Sequence, residues 1–509
     1  MLQFKAYHSG LTGGIDLSGA YLFGPDGIPV RGDLTGNGKM VACHKRVAGA
    51  VGLALMWEVG EAGHLMLSTT RLPDRKKPYN LPVELTRARM MRISQKIEEW
   101  GLFDYPEAAD LIDEFRRVHG PFIAALKSAK PKQAAGLAER ALEAGVTLSE
   151  KMALFHASVF LDRRRNSPAA AARMRFGCRV DLAGMGEHYQ DRLREAFDFL
   201  TVPLSWKTIE PQENTYQFPQ VDTWVNFAAR AHMPIHIGPV VDFDPANLPE
   251  WLYLWEHDYD SLREVIYKHI EQVITRYARQ AKIWSVVSGL HAYNDFNLAF
   301  EQIMELTRMC CQLTKKLAPR SQTMIELVMP WGEYYARNAR TIPPLLYADM
   351  AVQSGIKFDA FGLQLHMGVP QDGFYVRDLM QISSLLDEFA SLRKPLHITA
   401  CSVPSQIAVD PQDGWRGKLA VDQAGRWHAS WSPRLQAEWL QAFYRICISK
   451  PYVESVCWRD LGDDVAHYLP HAGLCSDDQT PKLSFTEMRN FRALMAAAEH
   501  REKNGENGS

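Results

Sequence analysis

The sequence predicts an α/β protein whose larger part is a (β/α)8 barrel. From Arg175 onward, short apolar runs alternate with amphipathic helical patterns such as those at 260–280 and 297–318, as parallel βα units require. A final helix is predicted from Ser484. No G-x-G-x-x-G follows the first run, which disfavours the alternative, a doubly wound open sheet. The eight predicted strands are 176–183, 199–206, 233–241, 282–290, 322–329, 359–366, 395–403 and 453–459.

The most informative βα unit is Phe199–Asp222, FLTVPLSWKTIEPQENTYQFPQVD. Its pattern predicts a buried strand from Phe199 to Trp206, then a polar loop, then a helix that begins within 218–222. Active sites of such barrels lie at the C-terminal ends of the strands. The residues that follow each predicted strand are therefore the candidates for function.

The chain before the barrel divides into two parts. Residues 1–80 contain short apolar runs between turn signals, such as Pro-Asp-Gly at 25–27, and predict a β-rich, sandwich-like module. A carbohydrate-binding role is one interpretation of such a module, although a fold alone does not establish it. Residues 81–170 predict a helical connector of two to four helices, and 171–500 the barrel, with the boundary at 167–173.

The connector shows helical periodicity. Its buried face is predicted to include Leu85, Met90, Ile93, Ile97 and Leu102, at spacings of three to five. Further along, Ser149 before Glu150 and Lys151 predicts the N-cap of another helix.

Composition narrows the classes of function. The 509 residues are 46% hydrophobic and 23% charged with a net charge of −2, which favours a globular protein and disfavours a nucleic-acid partner. No apolar run is long enough to span a membrane, and no secretory signal is visible, so a cytoplasmic location is the simplest expectation. Eight cysteines without a C-x-x-C pair predict buried thiols, and no metal or cofactor is expected. The oligomeric state stays open.

Several spaced motifs resemble the glycoside hydrolase family 10 xylanases, which are (β/α)8 barrels. FGCRVD (176–181) resembles the family's first strand, F-G-x-A-V-D, and FDAFGLQLHM (358–367) resembles its sixth, D-x-I-G-x-Q-x-H. VESVCWRDLGDD (453–464) is similar to the eighth, V-x-x-W-x-x-x-D. The second βα unit matches W-x-x-x-E-P-x(4)-Y-x-F-x(3)-D with Trp206, Glu210, Pro211, Tyr216, Phe218 and Asp222. The resemblance covers most of 175–495.

The same resemblance implies that the catalytic residues are missing. A retaining glycosidase needs two carboxylates, an acid/base and a nucleophile. The family's acid/base glutamate falls at Gly289, and its nucleophile falls at Ala400. The sugar-binding segment E-N-E-M-K-W reads TVPLSW at 201–206. The sequence therefore predicts a divergent, xylanase-like pseudoenzyme rather than a conventional xylanase.

The remaining candidates fall into two groups. The residues expected to contact carbohydrate are His366, Gln364, Trp458, Trp206 and Asp242. The weak candidates for a relocated catalytic carboxylate are Glu326, Glu333 and Asp295, with Asp244, Asp460, Asp463 and Asp464 also near strand ends.

Three hypotheses remain open. The barrel binds carbohydrate without cutting it, or it is an active glycosidase that uses relocated carboxylates, or it is a purely structural protein whose mouth is filled by side chains. An open cleft containing His366 and Trp458 would favour the first two, and a facing pair of carboxylates would favour the second.

Overall fold

The structure is a computed structural model that describes residues 1–7, 14–165, 175–184 and 186–503. The domain boundary predicted at 167–173 lies outside the described residues. None of the described helices is both long and apolar enough to cross a membrane.

Eight parallel strands close into a barrel. Each strand pairs with its neighbours in chain order, and the eighth pairs with the first, so the sheet has no open edge. This closure confirms the predicted barrel and rules out the doubly wound alternative. A short extra strand, Val241–Asp242, pairs with the end of strand four. Barrel strands one to eight are Arg175–Arg179, Phe199–Val202, Ile235–Ile237, Ala281–Ser288, Gln322–Leu327, Ala360–His366, Leu396–Ser402 and Val453–Trp458.

Helices pack outside this barrel, as their apolar faces require. The α-helices of this part are Glu187–Ala196, Trp206–Ile209, Pro219–Arg230, Tyr259–Tyr277, Phe300–Leu317, Pro344–Gln353, Leu379–Ala390, Pro433–Ser449 and Leu483–Lys503. Short 3-10 turns occur at Glu250–Trp255, Glu333–Ala336 and Val421–Ala424.

The predicted second strand is shorter than expected. It ends at Val202, and Trp206 begins a one-turn helix instead of ending the strand. Pro203 explains the difference, because proline has no N–H to continue the ladder of hydrogen bonds.

The N-terminal part is β-rich, as predicted, and contains two sheets. One sheet consists of Leu2–Lys5, Gly32–Asn37, Met40–Lys45 and Tyr79–Asn80. The other consists of Tyr21–Phe23, Pro29–Val30, Gly52–Glu58, Gly63–Ser68 and Arg426–Trp427. The last of these strands comes from a barrel loop and pairs antiparallel with Gly63–Ser68. The module therefore shares a sheet with the barrel. Its 3-10 turns are Pro25–Gly27 and Gly60–Ala62.

Three long helices join the module to the barrel: Leu81–Glu99, Ala109–Lys127 and Pro131–Arg165. Two 3-10 turns, Leu102–Asp104 and Pro106–Ala108, separate the first two helices. The predicted buried face is present, with Leu85, Met90, Ile93, Ile97 and Leu102 all buried.

The predicted N-cap at Ser149 is wrong. Ser149 lies inside the third helix, where its hydroxyl donates to the carbonyl of Gly145 at 2.5 Å. The surrounding Ala, Leu and Glu residues favour helix strongly enough to continue it through the serine. Near the end of this helix, buried Arg164 donates to the carbonyls of Ile448, Lys450 and Val453. The connector is thus anchored on the barrel.

Candidate functional site

A cleft opens at the C-terminal ends of the barrel strands and encloses about 880 Å³, including the solvent space at its mouth. Side chains of a strand alternate between the barrel interior and its helical coat. The inward positions near the strand ends are largely polar, so the cleft has hydrogen-bonding groups on every side. They include Arg179, Thr201, Ser285, Glu326, Gln364, His366, Thr399, Cys457 and Arg459.

Glu326 lies at the end of strand five and is only 4% exposed. Its Oε2 accepts a hydrogen bond from the Ser285 hydroxyl at 2.6 Å, and its Oε1 accepts one from the amide of Gln364. Each carboxylate oxygen of Glu326 therefore accepts a hydrogen bond from a residue of a neighbouring strand. Two of the sequence candidates, Glu326 and Gln364, are brought together in the cleft.

Asp242 lies on the extra strand beside strand four and also lines the cleft. Its carboxylate accepts hydrogen bonds from the backbone N–H of Asp244 at 3.1 Å and from the amide of Asn247 at 2.7 Å. Burial, followed by the negative charges of Asp244 and Glu326, raises the pKa of Asp242 from 3.8 to about 7. Near neutral pH this carboxyl group can therefore hold or release a proton.

Asp242 and Glu326 share one row of the sheet. Asp242 is in register with Ser288 on strand four, and Ser288 is in register with Glu326 on strand five. Two strand spacings place their Cα atoms about 10 Å apart. The two carboxyl groups thus border the same cleft from strands that are not adjacent.

The raised pKa of Asp242 predicts a pH-dependent effect of Asp242→Asn on stability. Between pH 3.8 and about 7 the folded state binds this proton and the unfolded state does not. Wild-type stability therefore falls relative to the variant as pH rises through that window, by at most about 4 kcal/mol, and then stays level. Urea unfolding of both proteins at pH 4 to 8 measures the difference, in which titrating groups that do not interact with Asp242 cancel. A difference that is constant with pH would contradict the assignment.

His366 borders the cleft from the end of strand six and is 3% exposed. Its Nδ1 is hydrogen-bonded with the Ser402 hydroxyl at 2.8 Å, and its ring stacks on Phe374 with 5.7 Å between centroids. Its Nε2 is buried and has no partner among the described residues. Burial, together with the charges of Arg459 and Arg179, holds the pKa of His366 well below its usual value, so the ring is neutral at neutral pH.

Trp206 and Trp458 do not line the cleft. The Trp206 indole donates to Glu210 at 2.8 Å and stacks on His269 with 4.0 Å between centroids. The Trp458 indole donates to the carbonyl of Ala472 at 3.0 Å. Both side chains are almost completely buried. In this geometry neither indole reaches a ligand in the cleft.

Two of the weak catalytic candidates also lie elsewhere. Glu333 is fully buried and pairs with Arg377. Arg377 lines a second cleft, of about 830 Å³ including the solvent space at its mouth, between the N-terminal module and the barrel. Asp295 is exposed and accepts a long hydrogen bond, 3.4 Å, from the Tyr253 hydroxyl. Neither carboxylate lines the barrel cleft.

Two positions, Ala400 and Gly289, correspond to the family's catalytic glutamates in the motif resemblance, and their surroundings differ. Ala400 lines the cleft and is in register with Gln364. Gly289 follows strand four with φ +73°, and a Cβ placed there would lie 2.8 Å from Cδ2 of Tyr293. A glutamate at 289 would need an unfavourable backbone conformation and a displaced tyrosine.

The sequence predictions missed two cationic residues of the cleft, Arg179 and Arg459. Arg179 stands in FGCRVD where the resembling motif has alanine, so that departure was a visible signal. Arg459 immediately follows Trp458 and faces inward because strand residues alternate. Tyr293, Asn247 and Tyr468, which also line the cleft, carried no comparable signal. Among the described residues, no group of three or more His, Cys, Asp or Glu side chains could hold a metal ion.

Sequence comparison with known proteins finds similarity to endo-1,4-beta-xylanases. Endo-1,4-beta-xylanase B of Thermotoga neapolitana is 23% identical over 277 residues, which are 53% of this chain and 71% of that protein. Endo-1,4-beta-xylanase 2 of Aureobasidium pullulans is 26% identical over 177 residues, 32% of this chain and 45% of that protein.

Among solved structures, native xylanase 10B from Thermotoga maritima aligns with a TM-score of 0.49 and 17% identity, covering 66% of this chain and 99% of that one. Xylanase 10B from Thermotoga petrophila RKU-1, in complex with xylobiose, aligns with a TM-score of 0.47 and 18% identity, covering 64% and 95%. The sequence model of glycosyl hydrolase family 10 matches residues 166–467, more than half of the chain. The chain therefore belongs to glycosyl hydrolase family 10.

Proposed function

We propose that the protein binds carbohydrate in its barrel cleft and does not cleave it by the two-glutamate mechanism of its family. The resemblance to the family's motifs carries the proposal: it aligns Gly289 with the acid/base and Ala400 with the nucleophile. Ala400 lines a cleft that keeps polar side chains such as Gln364 and His366. Glycine and alanine side chains can neither transfer a proton nor attack an anomeric carbon. Loss of general acid catalysis alone costs about 10²- to 10⁴-fold in rate, and no glycosyl-enzyme intermediate can form without the nucleophile.

The composition of the cleft supports binding. Ligand sites combine apolar and aromatic walls with a few polar groups that fix orientation. Here Tyr293, Phe374 and Tyr468 supply aromatic surface, and Gln364 and Asp242 supply hydrogen-bonding groups. Such a lining suits sugar rings, which present apolar faces and hydroxyl edges.

Titration calorimetry with neutral and acidic oligosaccharides tests the proposal. We expect at least one of these to bind to the wild-type protein, and Tyr293→Ala to weaken it about tenfold through loss of aromatic contact. Tyr267→Ala is the matched control, because Tyr267 lies on a barrel helix, is 37% exposed and is remote from the cleft lining. If no oligosaccharide binds, the purely structural hypothesis replaces this one.

Hydrolysis by relocated carboxylates is the second candidate function. The raised pKa of Asp242, about 7, and its position two strand spacings from Glu326 on the same cleft wall favour it. An inverting glycosidase separates its acid and its base by about 6.5–9.5 Å, more than a retaining one does. In this alternative Asp242 would protonate the leaving oxygen and Glu326 would activate water.

A further inference from the structure

Arg179 and Arg459 form a pair of neighbouring cations at one side of the cleft. Strands one and eight are adjacent, with Cys457 in register with Gly177 and Trp458 with Cys178. The next position in this register brings Arg459 beside Arg179, with Cα atoms roughly one strand spacing, about 5 Å, apart. Both side chains line the cleft. Two like charges therefore lie side by side at the C-terminal ends of adjacent strands.

Neither cation is neutralised closely. Within the described part of the chain, no hydrogen bond or ion pair joins Arg179 to a carboxylate. The nearest acid to Arg459 is Asp460, whose Oδ1 is 4.0 Å from Nε and whose Oδ2 accepts the Tyr468 N–H at 3.0 Å. The Arg459 guanidinium instead lies over the Tyr468 ring, 4.4 Å from its centroid.

Without a bound ligand, placing these two arginines side by side is electrostatically unfavourable. Burial, followed by the charge of Arg459, lowers the pKa of Arg179 to about 10, and the negative charges of Asp460, Asp242 and Glu326 offset this only in part. Partly desolvated like charges repel each other unless an anion lies between them. An arginine pair kept in a ligand cleft therefore indicates an anionic ligand group, since guanidinium forks match the geometry of carboxylates and other oxyanions.

The opposite side of the cleft has the reverse charge. Asp242, Asp244 and Glu326 lie on or beside strands three to five, whereas Arg179 lies on strand one and Arg459 directly follows strand eight. The cleft is thus polarised across its width. A sugar with one anionic substituent and several hydroxyls fits both sides, because carboxylates accept hydrogen bonds from hydroxyls.

We propose that the cleft recognises a glycan unit that carries an anionic group, a uronate carboxylate or a sulfate ester, through Arg179 and Arg459. The sugar hydroxyls of that unit face the acidic side. This inference depends on the proposed carbohydrate-binding function and adds the class of sugar. It also gives a role to an arginine that replaces the alanine of the resembling first strand.

Calorimetry with matched tetrasaccharides tests the inference. Xylose and galactose backbones would each be used in neutral, uronate-bearing and sulfated forms. We expect one anionic form to bind about 10- to 100-fold more tightly than its neutral counterpart, and the preference to weaken as salt rises. The better of the two anionic forms identifies the group. Arg179→Gln and Arg459→Gln should each lose most of this preference while keeping affinity for the neutral form.

Arg263→Gln is the matched control, because Arg263 is an exposed arginine paired with Glu305 on the outer helices. Thermal unfolding guards against misfolding: without ligand, Arg179→Gln should be at least as stable as wild type, because it removes one of two repelling charges. Equal affinity for neutral and anionic forms, or a preference that survives in the Arg179→Gln/Arg459→Gln double variant, would overturn the inference and leave carbohydrate binding intact. Failure of every tetrasaccharide to bind would overturn both.

Discussion

Arg377→Met is expected to lower the free energy of unfolding by about 3–5 kcal/mol, because it leaves a buried carboxylate without its partner. The side chains of Arg377 and Glu333 are 2% and 0% exposed and form an ion pair. Arg377 also donates to the Tyr375 carbonyl at 3.2 Å and lies 4.2 Å from the centre of the Trp331 ring. Urea unfolding at neutral pH measures the loss.

Two further variants show whether the loss comes from the unpaired buried charge. Arg263→Met breaks an exposed ion pair with Glu305 and should cost less than about 1 kcal/mol. The double variant Arg377→Met/Glu333→Leu removes both charges and should recover much of the loss. A loss below 1 kcal/mol in Arg377→Met would show that Glu333 is not held as the structure describes. The expected result makes Glu333 a structural acid.

Arg89→Met should also have a large effect, a loss of about 3 kcal/mol or more. Arg89, on the first connector helix, bonds both carboxylate oxygens of Asp378, at 3.2 and 2.5 Å. Asp378 also caps a barrel helix by accepting the N–H groups of Met380 and Gln381. The carboxylate keeps those donors in the variant, which limits the loss.

This pair links the connector to the barrel, so the two are expected to unfold together. Circular dichroism and tryptophan fluorescence should report one coincident urea transition in wild type and in Arg89→Met. Arg116→Met, which breaks an exposed pair with Asp113, is the control and should leave the midpoint nearly unchanged. Two separate transitions in the wild type would contradict the account of a connector anchored on the barrel.

The barrel could be predicted from the sequence because its signal is local and repeated. Parallel strands buried on both faces appear as apolar runs, so 322–329 and 453–459 predicted Gln322–Leu327 and Val453–Trp458 closely. The misses have local causes. Pro203 shortened the second strand, and strong helix formers around Ser149 outweighed its capping preference.

The candidate site was predicted less completely. The cleft contains Gln364, His366, Asp242 and Glu326, whose positions follow from the strand ends. Trp458 has the same type of motif support but faces outward, since Cys457 and Arg459 on either side of it line the cleft. A motif predicts the strand to which a residue belongs. The face of the sheet on which its side chain lies depends on the strand register, which is set by pairing with strands distant in sequence. The shared strand Arg426–Trp427 could not be foreseen for the same reason.

Product analysis distinguishes binding without cleavage from hydrolysis. Oligosaccharides that bind in calorimetry would be incubated with concentrated protein for days and analysed by mass spectrometry for shorter products. We expect no products above those of a protein-free control. Turnover that is abolished by Asp242→Asn or Glu326→Gln, and unaffected by Asp191→Asn, would contradict this expectation and establish hydrolysis by relocated carboxylates.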